Sequence, residues 1–199
     1  METNEIGGMD LLEVLGSVAP LSEGYQMRMR SQLVTEHYPA KHLLLAPGEI
    51  CRRIYFISSG LVRIYHIDNM GRERTIIFMG PGELAIDATS FYEQLPATEF
   101  LETLQDTTIQ SIGWQELNAL YADFAEGNYI GRVVTQKYLV RAVERNIELV
   151  TFSLNERYEN LIKRYPLIEQ QASQAQIASY LNISRETLSR LKSEQLRHR

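Results

Sequence analysis

One cysteine, Cys51, occurs in 199 residues. A lone cysteine cannot close an internal disulfide, ligate an iron–sulfur cluster or complete a structural zinc site. No stretch approaches the ~20 apolar residues that a membrane-spanning helix needs. The start, Met1 to Glu5, is acidic and lacks the basic opening and apolar core of a secretory signal. A reducing cytoplasm is the expected location. The four histidines, His37, His42, His66 and His198, have no metal-ligand spacing and read as surface or turn positions. No nucleophile–base pair stands out, so an enzyme is not expected. What remains is ordinary for a folded chain: 44% hydrophobic and 23% charged residues exclude disorder and fibrous repeats. The length suits one large domain, or a medium domain with a small one attached.

The formal net charge of −5 argues against a nucleic-acid partner, but the charge is uneven. Residues 154–199 carry Arg157, Lys163, Arg164, Arg185, Arg190, Lys192, Arg197 and Arg199 against only five acids. The acidic excess therefore sits in residues 1–153. An acidic body with a basic tail points to a polyanion as partner of the tail.

Residues 9–36 read as helical. Between about 42 and 113 the texture changes to short strand-like runs: His42–Leu45, Arg53–Ser58, Leu61–Ile67, Glu73–Met79, Thr98–Leu104 and Thr108–Ile112. Turn residues such as Pro47-Gly48, Ser59-Gly60 and Gly80-Pro81-Gly82 separate them. Close-packed strands with Gly-rich turns predict an antiparallel sandwich or barrel. Ile54, Phe56, Val62, Ile64, Ile76 and Phe78 alternate with more polar neighbours, as half-buried strands do. Trp114–Phe124 reads as a short amphipathic helix that Gly127 interrupts. A long helix follows over 129–153. Val133, Val140, Ile147 and Leu154 recur every seven residues, with Val143 and Val150 at the matching offset and Gln136 as the polar exception. That is a two-stranded seam of about three heptads. Asn155 offers an N-cap for a helix over Glu156–Tyr165, which Pro166 stops.

The sharpest pattern runs from Ser173 to Leu196. Ser173 can cap a helix with Gln176 closing a capping box. Ile177, Ala178 and Leu181 form its inner face. Asn182 tolerates the left-handed turn, and Ile183 fills the corner. Ser184 can cap a second helix with Leu188 and Leu191 inward, which leaves Arg185, Glu186, Ser189, Arg190 and Lys192 outward. This is a helix-turn-helix with a polar, basic second helix. Arginine can bond bidentately to guanine, glutamate can accept from cytosine, and Lys192, Arg197 and Arg199 can meet phosphates.

The run Ser184-Arg185-Glu186-Thr187-Leu188-Ser189-Arg190-Leu191-Lys192 resembles the recognition helix of the CRP/FNR transcription regulators, which reads a TGTGA-like half-site. The resemblance implies that Arg185, Glu186 and Arg190 read bases. Pro47-Gly48-Glu49, Tyr55-Phe56-Ile57-Ser58-Ser59-Gly60, Arg63, Tyr65 and Gly80-Pro81-Gly82-Glu83 are similar to the family's cyclic-nucleotide-binding β-roll, and the seam helix to its dimer helix. Members that bind cyclic AMP place Gly-Glu-Leu and then Arg-Ser/Thr around the phosphate. Here those motifs fall on Ile86-Asp87-Ala88 and Ala97-Thr98, so the arginine is absent. The adenine-facing hydroxyls of the dimer helix fall on Ala142 and Val143. A buried phosphate without its cation costs several kcal/mol. Cyclic nucleotide is therefore disfavoured unless Arg63, Arg72 or Arg74 stands in, and no other cofactor is implied. The family also continues into a β-hairpin wing, for which the residues after Lys192 leave no room.

The expected fold class is α+β: an antiparallel β-roll of jelly-roll type with N-terminal helices, a long dimerisation helix and a small all-α helix-turn-helix domain. The expected divisions are a sensor roll over 1–126, a dimer helix over 127–153 and a DNA-binding domain over 154–199. The expected partners are near-palindromic double-stranded DNA, a second copy paired through Val133, Val140, Val143, Ile147 and Val150, and RNA polymerase. The acidic body keeps a second reading open, a sensing or interaction module whose helix-turn-helix no longer binds DNA.

Overall fold

The computed structural model describes residues 8–197, with side chains as far as Gln195. Met1–Glu5, His198, Arg199 and the Arg197 side chain lie outside the described residues. The chain divides into two packing units, one of residues 1–64 and 78–137, the other of 65–77 and 138–199.

The first unit opens with α1 (Leu11–Gly16) and α2 (Glu23–Gln32). Asp10 caps α1 by accepting from the Leu12 and Glu13 amides, and Ser22 caps α2. The helical reading of 9–36 ends early, because Val34–Tyr38 is a strand, β1. Its β-branched Val34 and Thr35 pair with Ser111 and Gln110, and that pairing overrides the helical texture. Then come β2 (Leu43–Leu45), β3 (Arg53–Ser59), β4 (Val62–Ile67), β5 (Glu73–Met79), β6 (Leu84–Ala85), a short α3 (Ala88–Glu93), β7 (Phe100–Thr103) and β8 (Thr107–Gly113). They form two four-stranded sheets, ordered β1-β8-β3-β6 and β2-β7-β4-β5. Strand β1 pairs with β8, β2 with β7, and β3 with both β6 and β8, all antiparallel. This is the predicted roll, with β1, β6 and α3 added.

The alternation expected for half-buried strands is not what β3 shows. Tyr55, Phe56, Ile57 and Ser58 are all buried. Near the end of this strand the Met9 amide donates to the Ser58 carbonyl at 3.0 Å. Conversely Ile76, expected inward, is exposed while Phe78 is fully buried. The Ser59-Gly60 turn holds Gly60 at a φ of 95°, and a Cβ there would sit 2.8 Å from the Asp106 carbonyl oxygen. Gly60→Ala should cost ~1–3 kcal/mol in a urea titration, through left-handed strain and backbone collision.

The helix after β8 is α4 (Trp114–Asp123), and α5 (Ala125–Thr151) follows it. The break lies at Phe124, whose φ of −130° and ψ of 119° are extended. Gly127, expected to interrupt, is instead a buried helical residue: its Cβ would lie 2.9 Å from the Tyr25 ring. The glycine is selected by close packing on α2, not by a turn.

The second unit contains residues 138–151 of α5, then α6 (Leu154–Arg164), α7 (Ile168–Gln171), α8 (Gln174–Tyr180) and α9 (Arg185–Arg197). Ser153, not Asn155, caps α6. Ser153 Oγ accepts from the Glu156 amide, and the Glu156 carboxylate accepts from the Ser153 amide. Leu154 therefore belongs to the next helix and not to the end of the seam. The hairpin of β4 and β5 around residues 65–77 packs in this same unit. No helix among the described residues is long and apolar enough to cross a membrane.

Candidate nucleic-acid interface

The helix-turn-helix forms as its sequence dictates. Ser173 and Gln176 make a reciprocal capping box at the start of α8. Ile177, Ala178, Leu181, Leu188 and Leu191 are buried between the two helices. Asn182 takes a φ of 57°, and the Ile183 amide donates back to the Ala178 carbonyl at 3.0 Å, closing the turn. The Ser184 hydroxyl accepts from the Thr187 amide at 3.2 Å and opens α9. Ser173, Ser184, Arg185, Glu186, Ser189 and Arg190 are all exposed. The Glu186 carboxyl is held below its ordinary range, first by its own backbone amide and then by the Ser184 hydroxyl, so it is ionised.

Lys192 behaves differently. It is half-buried and its ammonium forms an ion pair with Glu169 on α7. Glu169 also accepts from the Tyr158 hydroxyl at 2.7 Å, and its carboxyl is lowered, mainly by Lys192. A folded-state pKa below the unfolded one gives stability that is present above the usual carboxylate range and lost as pH falls through it. Lys192 thus fastens α9 to α7. It reaches a phosphate only by sharing or leaving Glu169.

Three further contacts seat the helix-turn-helix, and sequence reasoning missed them. Arg145 of α5 lies 3.8 Å from the Tyr180 ring centroid and donates to the Tyr180 carbonyl at 2.5 Å. Arg157 of α6 donates to the Leu181 carbonyl at 3.1 Å. These guanidinium groups satisfy the carbonyls at the C-terminal end of α8, where its dipole is negative. The third is Ser179, whose hydroxyl accepts from the Thr75 amide and donates to the Glu73 carbonyl, both at 2.9 Å. The partners lie 35, 24 and roughly one hundred residues apart, so no local sequence pattern marks them.

The seam residues share one long helix. Val133 is half-buried. Val140, Val143, Ile147 and Val150 are 55%, 51%, 51% and 84% exposed. Four large apolar side chains on one stripe are thus left half exposed or more, which is the pattern of an unmade helix–helix contact.

In the roll, Asp87 sits between β6 and α3 and is 4% exposed. One carboxylate oxygen accepts from the Ser90 amide at 2.9 Å, capping α3. The other accepts from the Thr98 amide at 3.2 Å. Ala97 is buried, Ala88 and Thr98 are exposed, and Ile86 is intermediate. On α5, Ala142 and Val143 are exposed. Arg63, considered as a substitute cation, is buried and bonds Glu102 at 2.6 Å. Arg72 and Arg74 both bond Asp68 at 2.9 Å in the β4–β5 hairpin. Asp87→Ala should therefore lower stability by ~1–2 kcal/mol through the lost cap, read as a lower urea midpoint. His37, His42 and His66 are exposed. Among the described residues no group of three or more His, Cys, Asp or Glu is placed to hold a metal ion. Cys51 is buried, and desolvation raises its thiol pKa.

These parts define a class: an antiparallel β-roll, a long helix with an open apolar stripe, and a helix-turn-helix. Comparison with known proteins agrees. Residues 35–124 match the family described as Cyclic nucleotide-binding domain. The nitrogen fixation regulation protein FixK of Rhizobium meliloti is 26% identical over 166 residues, covering 80% of this chain and 74% of that protein. A CRP-like cAMP-activated global transcriptional regulator of Mycobacterium tuberculosis is 26% identical over 175 residues, 81% and 77% of the two chains. Among solved structures, FixK2 of Bradyrhizobium japonicum superposes with a TM-score of 0.71 at 18% identity, covering 83% and 85%. The c-di-GMP responsive regulator CLP of Xanthomonas campestris gives 0.69 at 19% identity, covering 89% and 93%. Residues 35–124 are thus similar to a cyclic nucleotide-binding domain, and the relatives aligned over about four fifths of the chain are named as regulators.

Proposed function

We propose that this chain is a homodimeric, sequence-specific DNA-binding transcription regulator whose effector pocket differs from the cyclic-AMP type. The observation that carries the reading is α9. Its buried Leu188 and Leu191 fix it, and Arg185, Glu186, Ser189 and Arg190 stand open to solvent. Two copies joined along Val133, Val140, Val143, Ile147 and Val150 present two such helices to successive major grooves, ~34 Å apart on a near-palindrome. The working divisions are the sensor roll to about residue 126, the dimer helix to 153 and the reader beyond it. The setting is the cytoplasm, with RNA polymerase as the onward partner.

The altered pocket follows from Asp87. Both of its oxygens already accept from backbone amides and the side chain is 4% exposed, so in this structure it braces α3 and is not presented to a ribose hydroxyl. Its negative charge also occupies the N-terminal end of α3, and the cation that would meet a cyclic phosphate is absent at Ala97. Arg63, Arg72 and Arg74 are each engaged by a carboxylate. An effector for this roll must therefore satisfy different groups from those that hold cyclic AMP.

The test is a fluorescence-anisotropy titration with a TGTGA-type inverted-repeat duplex, and with the best duplex selected from a random pool. A scrambled control, two salt concentrations and added cyclic AMP complete it. Specific binding that weakens steeply with salt and ignores the nucleotide is expected. Specific binding only with cyclic AMP overturns the altered pocket. No specific site after selection overturns the regulator and leaves a sensing or interaction module.

A further inference from the structure

The end of α8 is held from two directions by adjacent residues. Tyr180 meets the long helix through Arg145, as described. Ser179, one residue earlier, meets the β4–β5 hairpin. Strand β5 is an outer strand of its sheet, so its outward amides and carbonyls have no neighbouring strand. The Ser179 hydroxyl accepts from one such amide, that of Thr75, and donates to one such carbonyl, that of Glu73. One side chain thus supplies the donor and the acceptor that a further strand would have supplied. The hairpin itself is stiffened at its turn. Asp68 accepts from the Met70 and Arg72 amides and from the Arg72 and Arg74 guanidinium groups. Its carboxyl is lowered well below the usual range, first by the Arg72 amide.

We propose that Ser179 is a latch that fixes the helix-turn-helix on the β4–β5 hairpin and so sets the attitude of α9 toward DNA. Strand β4 continues from the hairpin into the roll, pairing with β7. Meanwhile Arg145 holds the same turn of α8 to the dimer helix. The latch leaves Arg185, Glu186, Ser189 and Arg190 exposed, so the closed latch is compatible with reading. A head fixed in advance loses less orientational freedom when it binds. Ser179 acts through α8 and touches no base in this scheme; it is a positioning residue. The proposal rests on the regulator reading given above for its DNA consequence, and on the hairpin geometry alone for the contact.

The experiment uses the full chain with Ser179→Ala and Ser179→Thr. Alanine is the better helix former, so α8 is not weakened by the first change. Threonine keeps a hydroxyl. Amide hydrogen exchange is read on a peptide covering 73–76 and on one covering 174–181. DNA affinity is read by anisotropy on the best duplex. The expected result is exchange at Thr75 about tenfold faster in S179A, unchanged exchange in α8, DNA binding three- to tenfold weaker, and recovery of both readouts in S179T. Equal exchange at Thr75 in S179A and wild type overturns the latch. Faster exchange with unchanged or tighter DNA binding overturns its positioning role. If wild type binds no specific duplex, the regulator reading falls and the DNA role of Ser179 with it, while the exchange arm still decides whether the latch exists.

Discussion

Arg185→Ala and Arg190→Ala will each weaken binding to the best duplex ten- to a hundredfold, about 1–3 kcal/mol, and each will relax the choice at one base pair. Both side chains are exposed on α9, so neither loss should move the urea midpoint. That separation is what makes the pair informative. Leu188→Ala, at a fully buried position, also abolishes DNA binding, but by removing ~2–5 kcal/mol of core packing. A readout role predicts lost affinity with intact stability; a seating role predicts both lost together. Affinity should be measured at two salt concentrations. An arginine that bonds a base changes the preferred sequence, whereas one that only neutralises a phosphate changes the salt slope and leaves the preference alone. If both alanine variants bind every duplex as wild type does, α9 is not the reading element.

Lys192 is expected to behave unlike its neighbours, because it is an ion-pair partner of Glu169 before it is anything else. Its removal loosens α9 against α7 and so mixes stability with affinity. A basic residue on a recognition helix is thus not automatically a DNA contact. The sequence spacing places it outward with the arginines, and only the α7 carboxylate, 23 residues earlier in the chain, turns it aside.

Local elements were legible wherever the determining residues lie within a few positions of one another. The Ser173–Gln176 capping box, the left-handed Asn182 and the Leu188–Leu191 face are all of this kind, and the helix-turn-helix follows from them. The roll was legible as a class because turn residues punctuate it at short intervals. Its edges were not. β1 is a strand only because β8 pairs with it, and β6 is two residues long. Boundaries failed where two candidates compete locally. Ser153 and Asn155 can each cap a helix, and the Glu156 carboxylate three residues on from Ser153 decides between them. Gly127 and Phe124 can each end α4, and the packing of Tyr25 explains why the glycine stays helical. The pocket residues were placed by resemblance and not by local physics. What the structure adds is the use to which Asp87 is already put, a capping and bracing role that depends on Ser90 and Thr98. The seats of α8 at Arg145, Arg157 and Ser179 depend on contacts between distant segments and leave no trace in periodicity.

Val143→Glu combined with Ile147→Glu will convert the protein to a monomer, halving the mass found by sedimentation equilibrium, and will weaken binding to an inverted-repeat duplex by a hundredfold or more. The two residues are each about half exposed on α5. They contribute little to the core of their own chain, so the helical circular-dichroism signal should persist. Across a two-fold seam each glutamate would meet its own copy or a near neighbour, and like charges brought together at an apolar interface are strongly unfavourable. The loss of DNA affinity follows from valency. Each reader alone makes a half-site contact, and joining two through the seam makes the second contact intramolecular, a gain of 10²–10⁴ without any new bond. A half-site duplex provides the control, because the monomeric variant should bind it as wild type does at limiting protein concentration. A variant that stays dimeric would place the interface elsewhere on the chain and leave Val140, Val143, Ile147 and Val150 as an apolar stripe in need of another cover. A variant that is monomeric yet binds the inverted repeat as tightly as wild type would show that the reader acts singly, and the palindromic site would then lose its physical basis.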